Sequence, residues 1–578
     1  MAMANPINDS LPHEVPPTTL PDAFLQTVLS SNMVELDYIH AFLRRAMLQV
    51  SRRRNTFVIA ACLPYDVLFL IFNHTVGMKD STTLRVLSQV CGRWRAIILE
   101  DSLLWRKALN LTGGRKWVGE VMLRTKKVPL WISVDRYDFT EDYSENIVPN
   151  VSIVIGNNFS RCAIFDIEGH SGKVEEILDS VNMDCGAPLL HSLSIRNISC
   201  PVRDHIMDIP DRLFRIPMPR LTSLCLERCA FSWDAIHTGI ASHSRSLTSL
   251  CISNVHDDTL ATTPLQLSLI LQSFPLLKDL WLRDAIVVTA SDHEIVAVTL
   301  QSLSSLHIQS SIDACAVFLA AICVPSLVNL VVDVNAAPEP SPGDIHELMT
   351  SIQLAAPPCL AYTSVNITHH PGCFIIQLGH ARAPKPLIEV TLRNSSRQVL
   401  GDRFLEIITS MVVIQPLRHV QELRVSVPYS VEGQVEGQVM TETWRHFFHH
   451  INMISHIHLG TQPPALLLHT LYQDAYMAAH LQHSDELRLL LPSLAQVSLP
   501  PIYEYRIFVD MILDLRASLG GLLTAEALLQ QCADIESFSD LDVVRNQIMA
   551  WAVNPGHNIP DWVENDVEDE SSIDDTID

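Results

Sequence analysis

Gly169-His170-Ser171-Gly172-Lys173 gathers an imidazole, a hydroxyl and an ammonium within five residues, the side-chain types used by a nucleophile elbow or a phosphate-cradling loop. The spacing suits neither: GxSxG and GxxxxGK[ST] place their glycines at other offsets. His446, His449, His450, His456 and His458 form the densest imidazole cluster, and His446 and His450 on a helix would face one way, as metal ligands do. No HExxH and no third carboxylate ligand accompany them, and His458 falls in a strand pattern that turns it away from the pair. Of thirteen cysteines, Cys225 and Cys229 alone are close in sequence, and Cys225 reads as an inert thiol within a strand. No catalytic constellation, metal or cofactor is therefore expected, and the protein reads as a non-enzyme.

The cysteine count is odd, no CxxC pair occurs, and the chain opens on polar, proline-containing sequence, which together predict a reducing cytoplasmic or nuclear setting. At 578 residues the chain exceeds what one core can organise, while 48% hydrophobic and 18% charged residues exclude wholesale disorder. The net charge of −24 argues against nucleic acid, whose phosphates are held by clustered Lys and Arg. Residues 1–136 nevertheless carry 17 basic against 11 acidic side chains, and the remainder 23 against 53, so a basic head precedes an acidic body. Such a head suits an acidic partner. The longest apolar run, Ala314 to Val332, is interrupted by Pro325, Ser326 and Asn329; it reads as a buried helix, Ala314–Val324, followed by a strand, Leu327–Val332, rather than a membrane span.

Five prolines make residues 1–21 a leader without long helices. Over residues 22–58, Leu25, Leu29, Met33, Leu36, Ile39, Leu43, Met47 and Val50 recur at three- and four-residue steps, predicting one amphipathic helix roughly 40 Å long. Its stripe is expected to pack on the chain's own next domain, or else on a second copy as a short coiled coil. Residues 59–110 predict three short helices: one opened by Leu63-Pro64 and carrying Leu68, Ile71 and Phe72, one carrying Leu84, Leu87, Val90, Cys91 and Trp94, and one carrying Ile97, Ile98, Leu103, Leu104 and Trp105. So short a block cannot bury so many large apolar groups by itself, which predicts that another chain covers part of it.

The order Leu63-Pro64-Tyr65-Asp66-Val67-Leu68, Ile71-Phe72, Val90-Cys91-Gly92-Arg93-Trp94 and Leu104-Trp105 resembles the F-box motif. Asp66 stands where Glu is usual and Gly92 where Arg or Lys is common. With the preceding apolar stripe and Val128-Pro129-Leu130-Trp131-Ile132, the layout resembles the large F-box family of mushroom-forming fungi. The resemblance implies docking onto the Skp-family adaptor of a cullin–RING (SCF-type) ubiquitin ligase, and through it a cullin. Carried over residue by residue, it assigns the adaptor contacts to Leu63, Pro64, Leu68, Ile71, Phe72, Leu87, Val90, Cys91 and Trp94.

After a connecting region, 111–160, an apolar–x–x–apolar–x–apolar pattern recurs through residues 161–500, as at Leu221/Leu224/Leu226 and Leu303/Leu306/Ile308, with degraded copies at Cys162/Phe165/Ile167 and Leu360/Thr363/Val365. A mean spacing of about 30 residues predicts one strand and one returning helix per copy, an irregular leucine-rich-repeat solenoid; a large ordinary α/β domain is the alternative. The fold class is thus α+β or α/β: a helical head, the solenoid, a helical cap at 501–555 and an acidic tail at 556–578, eight of whose last fifteen residues are acids. Strand alternation turns Glu227, Arg228, Asn254, Trp281, Arg283, Asp284, His307, Gln309, Asp333, Arg393 and Arg424 away from the core. Among them Glu227, Trp281, Arg283 and Arg393 are the expected contacts to a protein target, because Trp and Arg dominate binding energy at interfaces. Two functions stand: a non-enzymatic substrate receptor, whose apolar face around Leu68, Phe72, Val90 and Trp94 stays open, or a solenoid scaffold that covers this face with the Leu25–Val50 helix.

Overall fold

The computed structural model describes residues 21–498 except 56, 140–143, 183–185, 199–206, 244, 254–260, 289–296, 337–342, 357–361, 371–372, 381–382, 384, 395–399, 413–414, 428–436, 461–466, 472, 475–490, 492 and 495. Nearly all of the expected leader, the helical cap, the acidic tail and Asn254 lie outside the described residues. The chain forms two units, 1–128 and 129–578.

The described part of the first unit is helical: α1 (Asp22–Ser30), α2 (Met33–Asn55), α3 (Ile59–Cys62), α4 (Tyr65–Thr75), α5 (Ser81–Val90), α6 (Gly92–Glu100), α7 (Ser102–Lys107) and α8 (Arg115–Thr125). The single long helix expected over 22–58 is instead two. Ser31 is extended, and Asn32 starts α2 through a reciprocal cap: its Oδ1 accepts from Glu35 N at 3.0 Å while its own N–H donates to Glu35 Oε2 at 2.9 Å. Neither helix buries a residue, so the stripe does not pack on the chain's own next domain as expected.

The three helices expected over 59–110 are five, α3 to α7. Cys91 is extended (φ −155°, ψ 166°) and separates α5 from α6, its Sγ accepting from Trp94 N at 3.5 Å. Asp101, also extended, starts α7 by accepting from Leu103 N at 2.9 Å and Leu104 N at 3.4 Å. Pro64 stands one residue before α4, at the cap, and its carbonyl accepts the first turn's hydrogen bond from Leu68. Asp80 caps α5 by accepting from Thr83 N at 2.9 Å, and the hydrogen bonds from Thr83 hold its carboxyl below its ordinary range.

The second unit is mixed α/β around one 14-stranded sheet. From edge to edge the strands are Leu130–Val134, Cys162–Gly169, Ser192–Asn197, Ser223–Glu227, Ser249–Ser253, Asp279–Arg283, Ser305–Ser310, Asn329–Ala336, Ile388–Asn394, Cys373–Gly379, Ser364–His370, Glu422–Ser426, His456–Leu459 and Gln496–Ser498. Neighbours pair in parallel except at Cys373–Gly379, which is antiparallel to both of its flanking strands. The stepwise advance expected of every copy is therefore interrupted: the strand next in sequence after Asn329–Ala336 lies three places away, because the strands within residues 364–394 form an antiparallel insert.

Twelve of the strands hold the expected copies of the apolar pattern; Leu130–Val134 and Cys373–Gly379 lie outside that set, although Cys373, Ile376 and Leu378 fit its spacing. In most copies the first apolar residue lies just ahead of its strand and is buried with the two that follow, as in Leu247, Leu250 and Ile252. Each fully buried leucine contributes about 1.5–3 kcal/mol, enough to fix the same register copy after copy. The main chain adds a second periodic device. His191 O accepts from Thr222 N and Ser223 N, Thr222 O from Thr248 N and Ser249 N, Thr248 O from Lys278 N and Asp279 N, Lys278 O from Ser304 N and Ser305 N, and Ser304 O from Val328 N and Asn329 N, all at 2.8–3.0 Å.

Helices Pro264–Gln272, Ile312–Ala320, Asp344–Ala355, Leu400–Met411 and Gly437–His450 pack each on the next and cover the apolar strand positions. The helix expected at Ala314–Val324 runs Ile312–Ala320, capped by Ser311; Ile322–Cys323 is taken up in a parallel two-residue pairing with Val298–Thr299, so the following strand begins at Asn329. The expected connection at 111–160 is structured throughout its described part, α8 falling in the first unit and Leu130–Val134 forming the sheet's edge. Among the described residues no helix is long and apolar enough to cross a membrane.

Candidate functional site

Within the first unit, α4, α5 and α6 pack around Leu68, Phe72, Leu84, Ile97 and Ile98, all buried. The Phe72 ring meets Trp94 edge-on at 5.0 Å, and the Trp94 indole donates to Ala60 O at 3.2 Å. Arg93 Nη2 donates to Leu63 O at 2.7 Å, tying the start of α6 to the segment that opens α4. Beneath them, Trp105 donates to Ile98 O at 2.6 Å, meets Trp117 edge-on at 6.0 Å and lies under the Arg124 guanidinium at 4.5 Å. These links hold the outer surface rigid without using it.

The nine residues expected to contact an adaptor divide by burial. Pro64, Ile71 and Val90 are exposed, and Leu63, Leu87, Cys91 and Trp94 are half-buried. Leu68 and Phe72 are 0% exposed, so they form the interior that positions this face and are not part of it, a correction to the open face expected around them. Spacing misplaced them because it identifies a shared helical stripe without saying which stripe turns inward. Tyr65, Val67, Leu70, Met78, Val86 and Leu103 are exposed apolar residues outside the expected contact set. The signal was present: Val67 with Leu70 and Ile71, and Val86 with Val90, repeat at helical spacing on a second stripe.

Tyr65 Oη donates to Asp101 Oδ2 at 2.8 Å, joining the start of α4 to the α7 cap, and this carboxylate raises the phenol to about 12, with burial adding to the effect. A raised phenol contributes stability that is fully present below its unfolded value near 10 and is lost as pH climbs toward 12. Tyr65→Phe is expected to lose less than about 1 kcal/mol near neutral pH, since the pair is exposed. It should also flatten part of the wild-type decline between pH 10 and 12, as read from thermal melts of both proteins across that range. An identical decline in the two proteins would sink this assignment.

On the sheet face turned away from the helices that cover its apolar positions, alternate residues form rows across the strands. Ser194, Cys225, Cys251, Trp281, His307 and Val331 share one row by register, and Arg196, Glu227, Ser253, Arg283, Gln309 and Asp333 the next. Trp281 is 51% exposed and stacks on His307 with ring centroids 4.3 Å apart; partial burial holds the His307 imidazole below its ordinary value. Arg283 is exposed and Glu227 half-buried. Arg393 is exposed but already paired, its Nε and Nη2 donating to Asp333 at 2.8 and 2.7 Å. Arg228 and Asp284, just past their strands, adopt positive φ (54° and 47°), turning the chain off the face. The structure thus brings Trp281 and Arg283 onto one strand, with Glu227 two strands away and Arg393 farther along the sheet.

His446, His449 and His450 are exposed on the helix Gly437–His450, where the His446 and His450 rings meet at 4.6 Å. His458 turns instead toward Glu422, its Nε2 3.1 Å from Oε1. Among the described residues no group of three His, Cys, Asp or Glu side chains is arranged to hold a metal.

Residues 60–110 match the F-box-like family model, so the chain carries an F-box-like domain that coincides with α3 to α7. No curated protein matches the chain.

Proposed function

We propose that this chain is the substrate-recognition subunit of a cullin–RING (SCF-type) ubiquitin ligase. Its F-box-like domain docks on a Skp-family adaptor, and through it a cullin, while the second unit holds a protein target. In this reading the second unit is an irregular leucine-rich-repeat solenoid, supported by its parallel strands and its period of about 30 residues. The chain itself is not an enzyme and needs no cofactor. It accelerates transfer by holding target lysines near ubiquitin carried elsewhere in the complex, in the cytoplasm or nucleus. Neither nucleic acid nor membrane is a partner.

The observation that carries the proposal is the exposed apolar set Val67, Leu70, Ile71, Val86 and Val90 in a domain of the F-box-like kind. Such groups are costly to leave in water and suit a partner's apolar groove. A scaffold that silenced this face with the Leu25–Val50 helices would bury residues of those helices, yet α1 and α2 bury none.

The test is capture of a purified recombinant Skp-family adaptor by the full chain. Leu63→Ala combined with Pro64→Ala should abolish capture while the circular dichroism of the sheet persists. Trp281→Ala should leave adaptor capture unchanged and reduce target capture once a target is known. Undiminished adaptor binding by the double variant would defeat the receptor reading.

A further inference from the structure

We propose that Cys225 and Cys251 form a dithiol modification site on the sheet face turned away from the helices, which hydrogen peroxide closes to a reversible disulfide. The two residues are 26 apart in sequence, but the parallel pairing of Ser223–Glu227 with Ser249–Ser253 sets them directly opposite each other. Neighbouring strands lie about 4.8 Å apart, inside the range of roughly 4.4–6.8 Å that a disulfide needs between Cα atoms. Residues in register on adjacent strands project to the same side, and here the flanking Leu224, Leu226, Leu250 and Ile252 take the buried side. Both thiols are half-buried, within reach of a small oxidant, and close enough to influence each other's ionisation.

The surroundings assign unequal roles. The hydrogen bond from Cys251 and the Arg196 guanidinium hold the Cys225 thiol below its ordinary value, against burial and the Glu227 carboxylate. The same hydrogen bond raises Cys251, which stays protonated as the donor. Cys225 is thus the nucleophile and Cys251 the resolving thiol. The Cys225 thiolate attacks one peroxide oxygen, the O–O bond breaks, and hydroxide leaves to give a sulfenic acid. Cys251 sulfur then attacks the Cys225 sulfur, the S–O bond breaks, and water departs with the Cys251 proton. Two thiols are oxidised and one hydrogen peroxide is reduced to two waters, the hydroxide taking up the proton that Cys225 released on forming its thiolate. Cys162, Cys229 and Cys315 are buried thiols pushed upward by that burial and are unsuited to this role. In a reducing compartment such a bond is transient, as a sensor's is. Trp281 is the in-register neighbour of Cys251, so the bond alters the surface beside it. That consequence rests on the target-binding reading above, whereas the thiol chemistry can be tested without any target.

The experiment treats the reduced full chain with hydrogen peroxide, blocks remaining thiols with N-ethylmaleimide, and maps peptides by mass spectrometry. Cys225 and Cys251 should lose alkylation together, about tenfold faster than the exposed Cys323, yield a linked peptide, and recover with dithiothreitol. In Cys251→Ser, Cys225 should accumulate as a sulfenic acid trapped by dimedone. Persistent alkylation of both thiols at peroxide levels that oxidise Cys323 would overturn the proposal, as would a link from Cys225 to Cys229. The wild-type measurement stands alone if the variant fails to fold.

Discussion

Ile71→Asp together with Val90→Asp is expected to weaken capture of a purified Skp-family adaptor by at least about 100-fold, or roughly 3 kcal/mol, without loss of helicity in the first unit. Both side chains are exposed, at 41% and 56%, so aspartate at either position is solvated in the free chain and the fold does not resist it. In a complex the same carboxylates would be stripped of water against an apolar partner surface, which costs several kcal/mol. Phe72→Ala provides the contrast. Its ring is wholly buried against Trp94, and truncation should cost about 3–5 kcal/mol of fold stability, so that adaptor binding falls along with helical signal. Isothermal titration with parallel circular dichroism separates the two modes of loss. Retained affinity in the double aspartate variant would place the adaptor elsewhere.

Trp444→Ala should be the most damaging single truncation in the second unit, at about 3–5 kcal/mol, seen as a lower denaturant midpoint. Trp444 is 0% exposed and contacts Phe404, Phe447 and Phe448, each with ring centroids 5.8 Å away, while Phe404 stacks on Phe374 of the sheet at 5.9 Å. This aromatic chain joins two helices to the sheet, and no single neighbour can fill the space an indole leaves. Trp281→Ala, by comparison, removes a half-exposed ring and should cost under about 1 kcal/mol. A Trp444→Ala midpoint as mild as that of Trp281→Ala would show that the aromatic chain does not hold these elements together.

The strands were legible because three apolar residues per copy must enter the core, and the period survives wherever that demand does. Leu130–Val134 was not, since Pro129 stands where the pattern's first apolar residue would precede Ile132 and Val134, and Cys373–Gly379 was not, since its Cys373/Ile376/Leu378 set belongs to an antiparallel insert that falls off the period of about 30 residues. In the head, composition revealed an excess of apolar groups but not which of two stripes on α4 faced outward. Leu68 and Phe72 therefore changed sides, while Ile71 and Val90 did not. The break at Asn32 was readable as Asn-x-x-Glu, yet the heptad-like leucines running through it masked it. Cys225 was weighed against Cys229, its neighbour in sequence, when its partner in space is Cys251. Cross-strand juxtaposition appears only once register is known.

The carbonyls of His191, Thr222, Thr248, Lys278 and Ser304 grip the following copy through paired main-chain N–H groups, and the Thr222, Thr248 and Ser304 hydroxyls donate to the first, second and fourth of them. None of these bonds uses the side chain of Cys251, Trp281 or Arg283. Substitution at Cys251, Trp281 or Arg283 therefore remodels the outer surface while the frame beneath it persists.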